Sequence, residues 1–191
     1  MIAQRPRMSA VLLALTMCQA TRASDSPSLR PGVVPQPRSV VYSGGNVTLA
    51  PQFAFAATGE QSAILSAAFV RYGKLLDRGG ASFETTGIFV RECKVVVALP
   101  SLSLDLETDE SYMLELGATK CSIEAQTVFG ALHAMESLVQ LVQRPYFTAP
   151  AVRIEDKPRF AFRATMIDTS RHYYPLKNIL QHLDSMAGKS E

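Results

Sequence analysis

Histidine, cysteine and excess charge are all scarce in this sequence. Its 191 residues include three histidines and three cysteines, and there is neither an H-E-x-x-H nor a paired-cysteine motif to predict a metal site. His133 and His182 lie in predicted helices without the spacing of ligands. No apolar run approaches the roughly 20 residues that span a bilayer. Lys and Arg together number 19 against 17 Asp and Glu, which leaves no basic surface for nucleic acid. We therefore predict no metal or other cofactor.

The N-terminus has the order of a secretory signal peptide, which we assign to residues 1–23. Arg5 and Arg7 precede the apolar run 10–17, and small residues follow as far as Ala23. A permanent membrane anchor is the weaker alternative because the run is so short. We expect a protein of the secretory pathway, lysosomal or extracellular, with no membrane attachment after cleavage.

Cleavage would leave two cysteines, Cys93 and Cys121. An even count in an oxidising compartment favours a disulfide between them, and two buried free thiols are the alternative. Asn46 begins an N-V-T sequon, so it is a candidate glycosylation site that should lie on the surface.

The hydrophobic fraction of 47% predicts a folded core. Short β-prone runs at 40–42, 47–49 and 53–55 predict a small meander. Helical periodicity follows over 61–77. The nearly continuous apolar run 93–99 is typical of a central strand covered on both faces.

Alternating residues then predict a hairpin of strands around 112–116 and 123–125. Thr127 is a candidate N-cap for a helix whose exposed side would carry His133, Glu136 and Gln140. The order β-β-β-α-β-β-β-α favours an α+β domain over residues 24–150, an open β-sheet with helices packed on one face.

The character of the chain shifts after residue 150. Residues 160–168 have the pattern of a buried strand and residues 175–187 that of an amphipathic helix. One strand and one helix cannot close a core, so the segment 151–191 calls for further elements.

The run 156–175, D-K-P-R-F-A-F-R-A-T-M-I-D-T-S-R-H-Y-Y-P, resembles the start of the catalytic barrel in glycoside hydrolase family 20, the β-N-acetylhexosaminidases. V-P-Q-P at 34–37, D-E-S-Y at 109–112 and the helix from Thr127 resemble that family's leading segment and accessory domain. The resemblance implies that 151–191 is the truncated start of a (β/α)8 barrel, its first β-α unit. A dimer formed through the missing barrel is compatible with it.

The activity implied by the resemblance is removal of terminal N-acetylglucosamine or N-acetylgalactosamine from glycoconjugates. The substrate's own acetamido oxygen is the nucleophile, assisted by an Asp-Glu pair. The pairs Asp109-Glu110 and Glu155-Asp156 do not stand in a matching context. We therefore expect the isolated chain to be inactive, and a non-catalytic module that binds glycans or a partner is the alternative.

Arg163 matches the family's sugar-binding arginine, whose fixed donors suit adjacent hydroxyls. The alternatives are a surface arginine or a pair with Asp168. Ala164 stands where the family usually has glycine, and its methyl group would crowd the backbone approach to the pocket. For Asp168 and Arg171 we favour a buried or half-buried ion pair that shapes the turn, and for His172 a similar architectural role.

Overall fold

The structure, a computed structural model, describes residues 32–59, 62–77, 88–99, 102–144 and 146–187. The predicted signal peptide lies outside these ranges. None of the helices in the described ranges combines the length and the hydropathy that a membrane span requires. The elements, in chain order, are β1 (Ser39–Thr58), α1 (Ala63–Leu76), β2 (Phe89–Val97), β3 (Tyr112–Leu116), β4 (Cys121–Ala125), α2 (Val128–Leu141), β5 (Thr148–Asp156) and α3 (Leu176–Ala187).

The five strands form one mixed sheet that closes on itself, in the order β1-β2-β4-β3-β5 and back to β1. The prediction of an open sheet is therefore wrong. The reason is the length of β1, since its residues 39–48 run antiparallel to β5 and its residues 48–58 run parallel to β2.

The β1 strand is also continuous, so the predicted meander of three short strands is wrong. Its register with β5 shifts between Tyr42 and Asn46. Gly44 and Gly45 lie in that interval with φ of 81° and 76°, values that glycine adopts without steric cost. The glycines thus let one strand bend where turns were expected. Asn46 is exposed there, and its glycosylation stays a prediction.

The core lies between the sheet and the helices α1 and α2, which contact each other. Strands β3 and β4 bury alternate residues, as the hairpin pattern predicts. In β2, Cys93 and Val95 are buried, whereas Lys94 and Val96 are exposed. The strand is central, between β1 and β4, but the prediction that both its faces are covered is wrong because one face meets solvent.

A disulfide joins Cys93 of β2 to Cys121 of β4. The two residues are direct partners in the parallel pairing of these strands. Both side chains are almost completely buried, so the bridge lies inside the core rather than on the surface.

The three predicted helices are present. Ser62 caps α1 through a hydrogen bond to its side chain from Leu65 N, 3.1 Å long. Thr127 is the N-cap of α2, as predicted, and its side chain accepts from Gly130 N. These caps satisfy amide donors that have no partner within their own helix.

The segment between β5 and α3 has no regular secondary structure, so the predicted buried strand at 160–168 is wrong. Phe160, Phe162 and Met166 are 65%, 75% and 93% exposed. A strand needs a neighbour for its hydrogen bonds, and none of the described strands pairs with this segment. By contrast β5, which was not predicted, pairs with both β1 and β3.

Candidate functional site

Glu110 is the centre of a partly buried charged cluster. Its Oε2 accepts a hydrogen bond from Arg163 Nη2 at 2.7 Å and lies 2.6 Å from His133 Nε2. The side chains of Glu110, His133 and Arg163 are only 9%, 16% and 23% exposed. Because an ionised carboxylate can only accept, the imidazole is the donor in the second contact. The cluster joins the loop before β3, helix α2 and the segment after β5.

The backbone around Glu110 is fixed by the start of α2. Thr127 Oγ1 donates to Asp109 O at 2.8 Å. A Cβ on Gly130 would lie 2.6 Å from Ser111 O, so the helix approaches the loop more closely than any other residue at that position would allow. Hydrogen bonds from the Ser111 side chain and amide also hold the pKa of Asp109 below its ordinary value.

Arg163 is held at two points on its guanidinium group. Nη2 donates to Glu110, and Nη1 donates to the carbonyl oxygen of Phe160. The Nε atom is buried and meets no acceptor within the described part of the chain. The structure therefore pairs Arg163 with Glu110 and not with Asp168, the partner considered from the sequence.

A cavity of about 630 Å³ lies beside this cluster. It is bounded by the leading segment (residues 33–38), one side of α2 and the start of the segment after β5. Its lining includes Val33, Val34, Pro35, Arg38, Tyr112, His133, Glu136, Ser137, Gln140, Asp156, Arg159, Phe160 and Arg163. The cavity therefore combines apolar walls with several convergent polar groups, which is the usual make-up of a small-molecule site.

The side of α2 that was expected to face solvent instead faces this cavity. His133, Glu136 and Gln140 are all partly buried, so that expectation is wrong. Gln140 binds the backbone of Val34 at both ends, accepting from its N at 2.7 Å and donating to its O at 3.1 Å. The leading segment covers the helix through these bonds, and the helical pattern alone could not show this.

Tyr112 and Asp156 form a second polar group on the cavity wall. The Tyr112 hydroxyl lies 2.7 Å from Ser137 Oγ and donates to Asp156 Oδ2 at 3.4 Å. Burial raises the pKa of Tyr112 far above its ordinary value, and the Asp156 carboxylate acts in the same direction. The phenol is therefore a neutral hydrogen-bonding group. The other Asp156 oxygen accepts from Arg38 N at 3.0 Å.

Asp168 and Arg171 form an ion pair with 3.5 Å between Oδ2 and Nη1. Asp168 Oδ1 also accepts from the backbone amides of Ser170 and Arg171 at 2.9 and 3.2 Å, which shapes the turn. The expectation of a buried or half-buried pair is wrong, because the Arg171 side chain is 85% exposed and Asp168 is exposed with it.

His172 and Asp168 line a different cavity from Arg163, one of about 420 Å³ that also touches His182. The structure thus does not gather the predicted site residues at one place. No group of three or more His, Cys, Asp or Glu side chains that could hold a metal ion occurs among residues that the structure describes.

Sequence reasoning missed Glu110 as the partner of Arg163 and His133 as the second partner of Glu110. In the sequence, Glu110 belongs to an Asp-Glu pair within the D-E-S-Y motif, and His133 is a histidine of a predicted helix. Glu110 and Arg163 are 53 positions apart, and no spacing rule connects charges across such a distance. The D-E-S-Y motif was the only signal at this position.

Comparisons with known proteins identify the protein family of this chain. A family described as "beta-acetyl hexosaminidase like" matches residues 33–141, which contain Glu110 and His133. The catalytic domain of glycosyl hydrolase family 20 matches residues 160–189, which contain Arg163. The chain therefore belongs to the β-N-acetylhexosaminidases of glycoside hydrolase family 20.

Individual relatives are similar over nearly the whole chain. Beta-hexosaminidase 1 of Arabidopsis thaliana is 35% identical over 207 aligned positions, which cover 93% of this chain and 37% of the relative. The human beta-hexosaminidase subunit beta is 33% identical over 199 aligned positions, which cover 94% of this chain and 36% of the relative. The crystal structure of a chitobiase from Flavobacterium johnsoniae is similar with a TM-score of 0.67 and 31% identity, over 80% of this chain and 24% of that one.

The chain spans only part of the length of these relatives. The shares range from 24% for the Flavobacterium chitobiase to 37% for the Arabidopsis protein. Family membership is thus shown for this chain, and its activity has to be argued from its own residues.

Proposed function

We propose that this chain is the front portion of a β-N-acetylhexosaminidase of the secretory pathway. It would supply the accessory domain and the start of the catalytic domain of an enzyme that removes terminal N-acetylglucosamine or N-acetylgalactosamine from glycoconjugates. The observation that carries the proposal is the position of Arg163, which lies inside the segment matching the catalytic domain and lines the cavity of about 630 Å³.

Arg163 would bind hydroxyl groups of the terminal sugar. A guanidinium carries five N–H donors in a fixed plane. Glu110 and the Phe160 carbonyl each take one of them. The Nε–H is buried and meets no acceptor among the described residues, so the second N–H on each of Nη1 and Nη2 would be the donors to hydroxyl oxygens that enter the cavity.

The chemistry itself would need an acid and an orienting carboxylate, because the sugar's acetamido oxygen supplies the nucleophile. Neither adjacent acidic pair in this chain suits that task. Glu110 is engaged by Arg163 and His133, and Asp156 is engaged by Tyr112 and the amide of Arg38. We infer that the 191 residues do not hydrolyse glycosides by themselves.

An assay of the purified 191-residue chain on a chromogenic β-N-acetylglucosaminide tests this inference. We expect no turnover above the buffer blank, with an active hexosaminidase as the positive control. Turnover that survives purification and disappears in Glu110→Gln would show that Glu110 can act as the acid, and our assignment would be wrong.

Reading the transcript beyond codon 191 is a second test, since an in-frame Asp-Glu pair there would support the enzyme.

A non-catalytic glycan-binding module is the second candidate. The cavity itself favours it, because a volume of about 630 Å³ falls within the range of sites that enclose small ligands. A titration with N-acetylglucosamine, monitored by NMR, measures binding. Together with the sequence of the transcript, it separates the two candidate functions. Binding by a chain whose transcript stops at codon 191 would favour the module, and binding with an in-frame Asp-Glu pair would favour the enzyme.

A further inference from the structure

We propose that Glu110 is a positioning residue, through which the accessory domain orients Arg163 for sugar binding. The inference rests on the proposed sugar contact of Arg163. Its first half, the coupling between Glu110 and Arg163, can be measured without any sugar.

The contact between the two residues is short and shielded from solvent. Arg163 Nη2 lies 2.7 Å from Glu110 Oε2, and the Glu110 side chain is only 9% exposed. A hydrogen bond between two ionised groups is stronger than one between neutral groups, and limited contact with water reduces its screening. Glu110 therefore dominates the orientation of the Arg163 head group.

Two anchors on different nitrogen atoms fix the guanidinium plane. Glu110 holds Nη2, and the Phe160 carbonyl holds Nη1. Phe160 is only three residues from Arg163 and belongs to the same irregular segment, so this bond does not tie the arginine to another element. Glu110 is the anchor that ties the guanidinium to the packed domain.

The Glu110 carboxylate is in turn held in place from the domain side. His133 Nε2 of α2 lies 2.6 Å from the same oxygen. Thr127 and Gly130 fix the backbone next to Glu110, through the bond to Asp109 O and the close approach to Ser111 O. Packed elements thus place this carboxylate, whereas Arg163 comes from a segment without regular structure.

Glu110→Gln is the decisive variant because it keeps the shape of the side chain and removes its charge. In the wild-type 191-residue chain, rotation of the anchored guanidinium should be slow, so that Arg163 shows separate Nη proton signals in ¹⁵N-edited NMR spectra. Arg163→Lys assigns those signals by their loss. We expect the signals to merge in Glu110→Gln, as they should for the exposed Arg171 in the wild type.

Glu155→Gln is the matched control. It removes the ion pair between Glu155 and Arg153, both of which are about half exposed, and it should leave the Arg163 signals unchanged. Glu110→Asp keeps the charge on a shorter side chain, so we expect an intermediate result. It also replaces Glu110→Gln if far-UV circular dichroism shows that the latter does not fold.

Sugar affinity is the second measurement. In an NMR titration with N-acetylglucosamine, we expect Glu110→Gln to weaken binding by about tenfold, the effect of one well-placed hydrogen bond. Arg163→Lys should weaken it at least as much, and Glu155→Gln should not change it.

Separate Arg163 signals that persist in Glu110→Gln would overturn the inference. So would an unchanged sugar affinity in Glu110→Gln when Arg163→Lys weakens binding, and in that case the proposed sugar contact would stand. If the wild type and Arg163→Lys do not differ in sugar binding, the proposed contact fails and the positioning role fails with it.

Discussion

At the scale of single residues, the Glu110 carboxylate joins side chains from two other parts of the fold. One of its oxygens meets both His133 and Arg163, and a carboxylate this buried requires such partners to offset its lost hydration. The family motif makes Arg163 a candidate sugar-binding residue from the sequence alone. The motif could not identify Glu110 as the partner of Arg163, because the contact between the two residues depends on how the segment after β5 lies against α2.

Gly130 supports the same cluster from the backbone. We predict that Gly130→Ala destabilises the protein by about 1–3 kcal/mol, the usual cost of forcing a methyl group into a filled space. The clash is with backbone atoms, since the new Cβ would lie 2.6 Å from Ser111 O and 3.0 Å from Glu110 O. Urea unfolding measures the loss.

Gly73→Ala in α1 is the matched control for this substitution. Apart from the chain neighbours and the backbone of α1 itself, no atom lies within 4 Å of a Cβ at Gly73, so alanine's better helix propensity should stabilise the protein by up to about 1 kcal/mol. Equal effects of the two alanines would show that the contact between α2 and the Glu110 loop is not as close as the structure has it.

At the scale of elements, the sequence predicts what depends on local pattern. The helices α1, α2 and α3 and the β3-β4 hairpin follow from periodicity, and the Thr127 cap from residue chemistry. The predictions for β1 and residues 160–168 failed, and β5 was not predicted, because strands depend on partners far along the chain. Apolar residues at 160–168 resemble a strand, but only an adjacent strand can supply the hydrogen bonds.

Helices α2 and α3 both carry leucines at helical spacing, but the surroundings of these leucines are very different. We predict that Leu138→Ala in α2 costs about 2–5 kcal/mol, because Leu138 is completely buried and its removal leaves a cavity. Leu180→Ala in α3 should stay within about 0.5 kcal/mol, since Leu180 is 52% exposed. Chemical denaturation of both variants gives the comparison.

The same alanine substitution in two helices makes each variant the control of the other. A loss of more than about 1 kcal/mol in Leu180→Ala would exceed what exposed positions usually show. It would mean that α3 packs against the domain in solution, contrary to the structure.

At the scale of the whole molecule, the disulfide is the covalent link within the core. Cys93 and Cys121 are 28 residues apart in the chain. By the loop-entropy relation, a cross-link of that span stabilises a protein by about 3–4 kcal/mol. We predict that the double variant C93A/C121A loses about that much in urea unfolding.

Reduction of the wild-type chain is the control for lost side-chain volume, because it breaks the link and keeps both sulfur atoms. It should reproduce most of the loss. If the reduced wild type is as stable as the oxidised protein while C93A/C121A is destabilised, packing of the sulfur atoms, and not the cross-link, would be what matters.

The pairing of β1 with β5 has a practical consequence for anyone who trims the gene for expression. A piece that stops short of Thr148 would strip residues 39–48 of β1 and one edge of β3 of their hydrogen-bonding neighbour. Bare strand edges recruit other molecules and lead to aggregates. A soluble recombinant version of the accessory domain should therefore extend at least through Asp156, past the end of the match at residue 141.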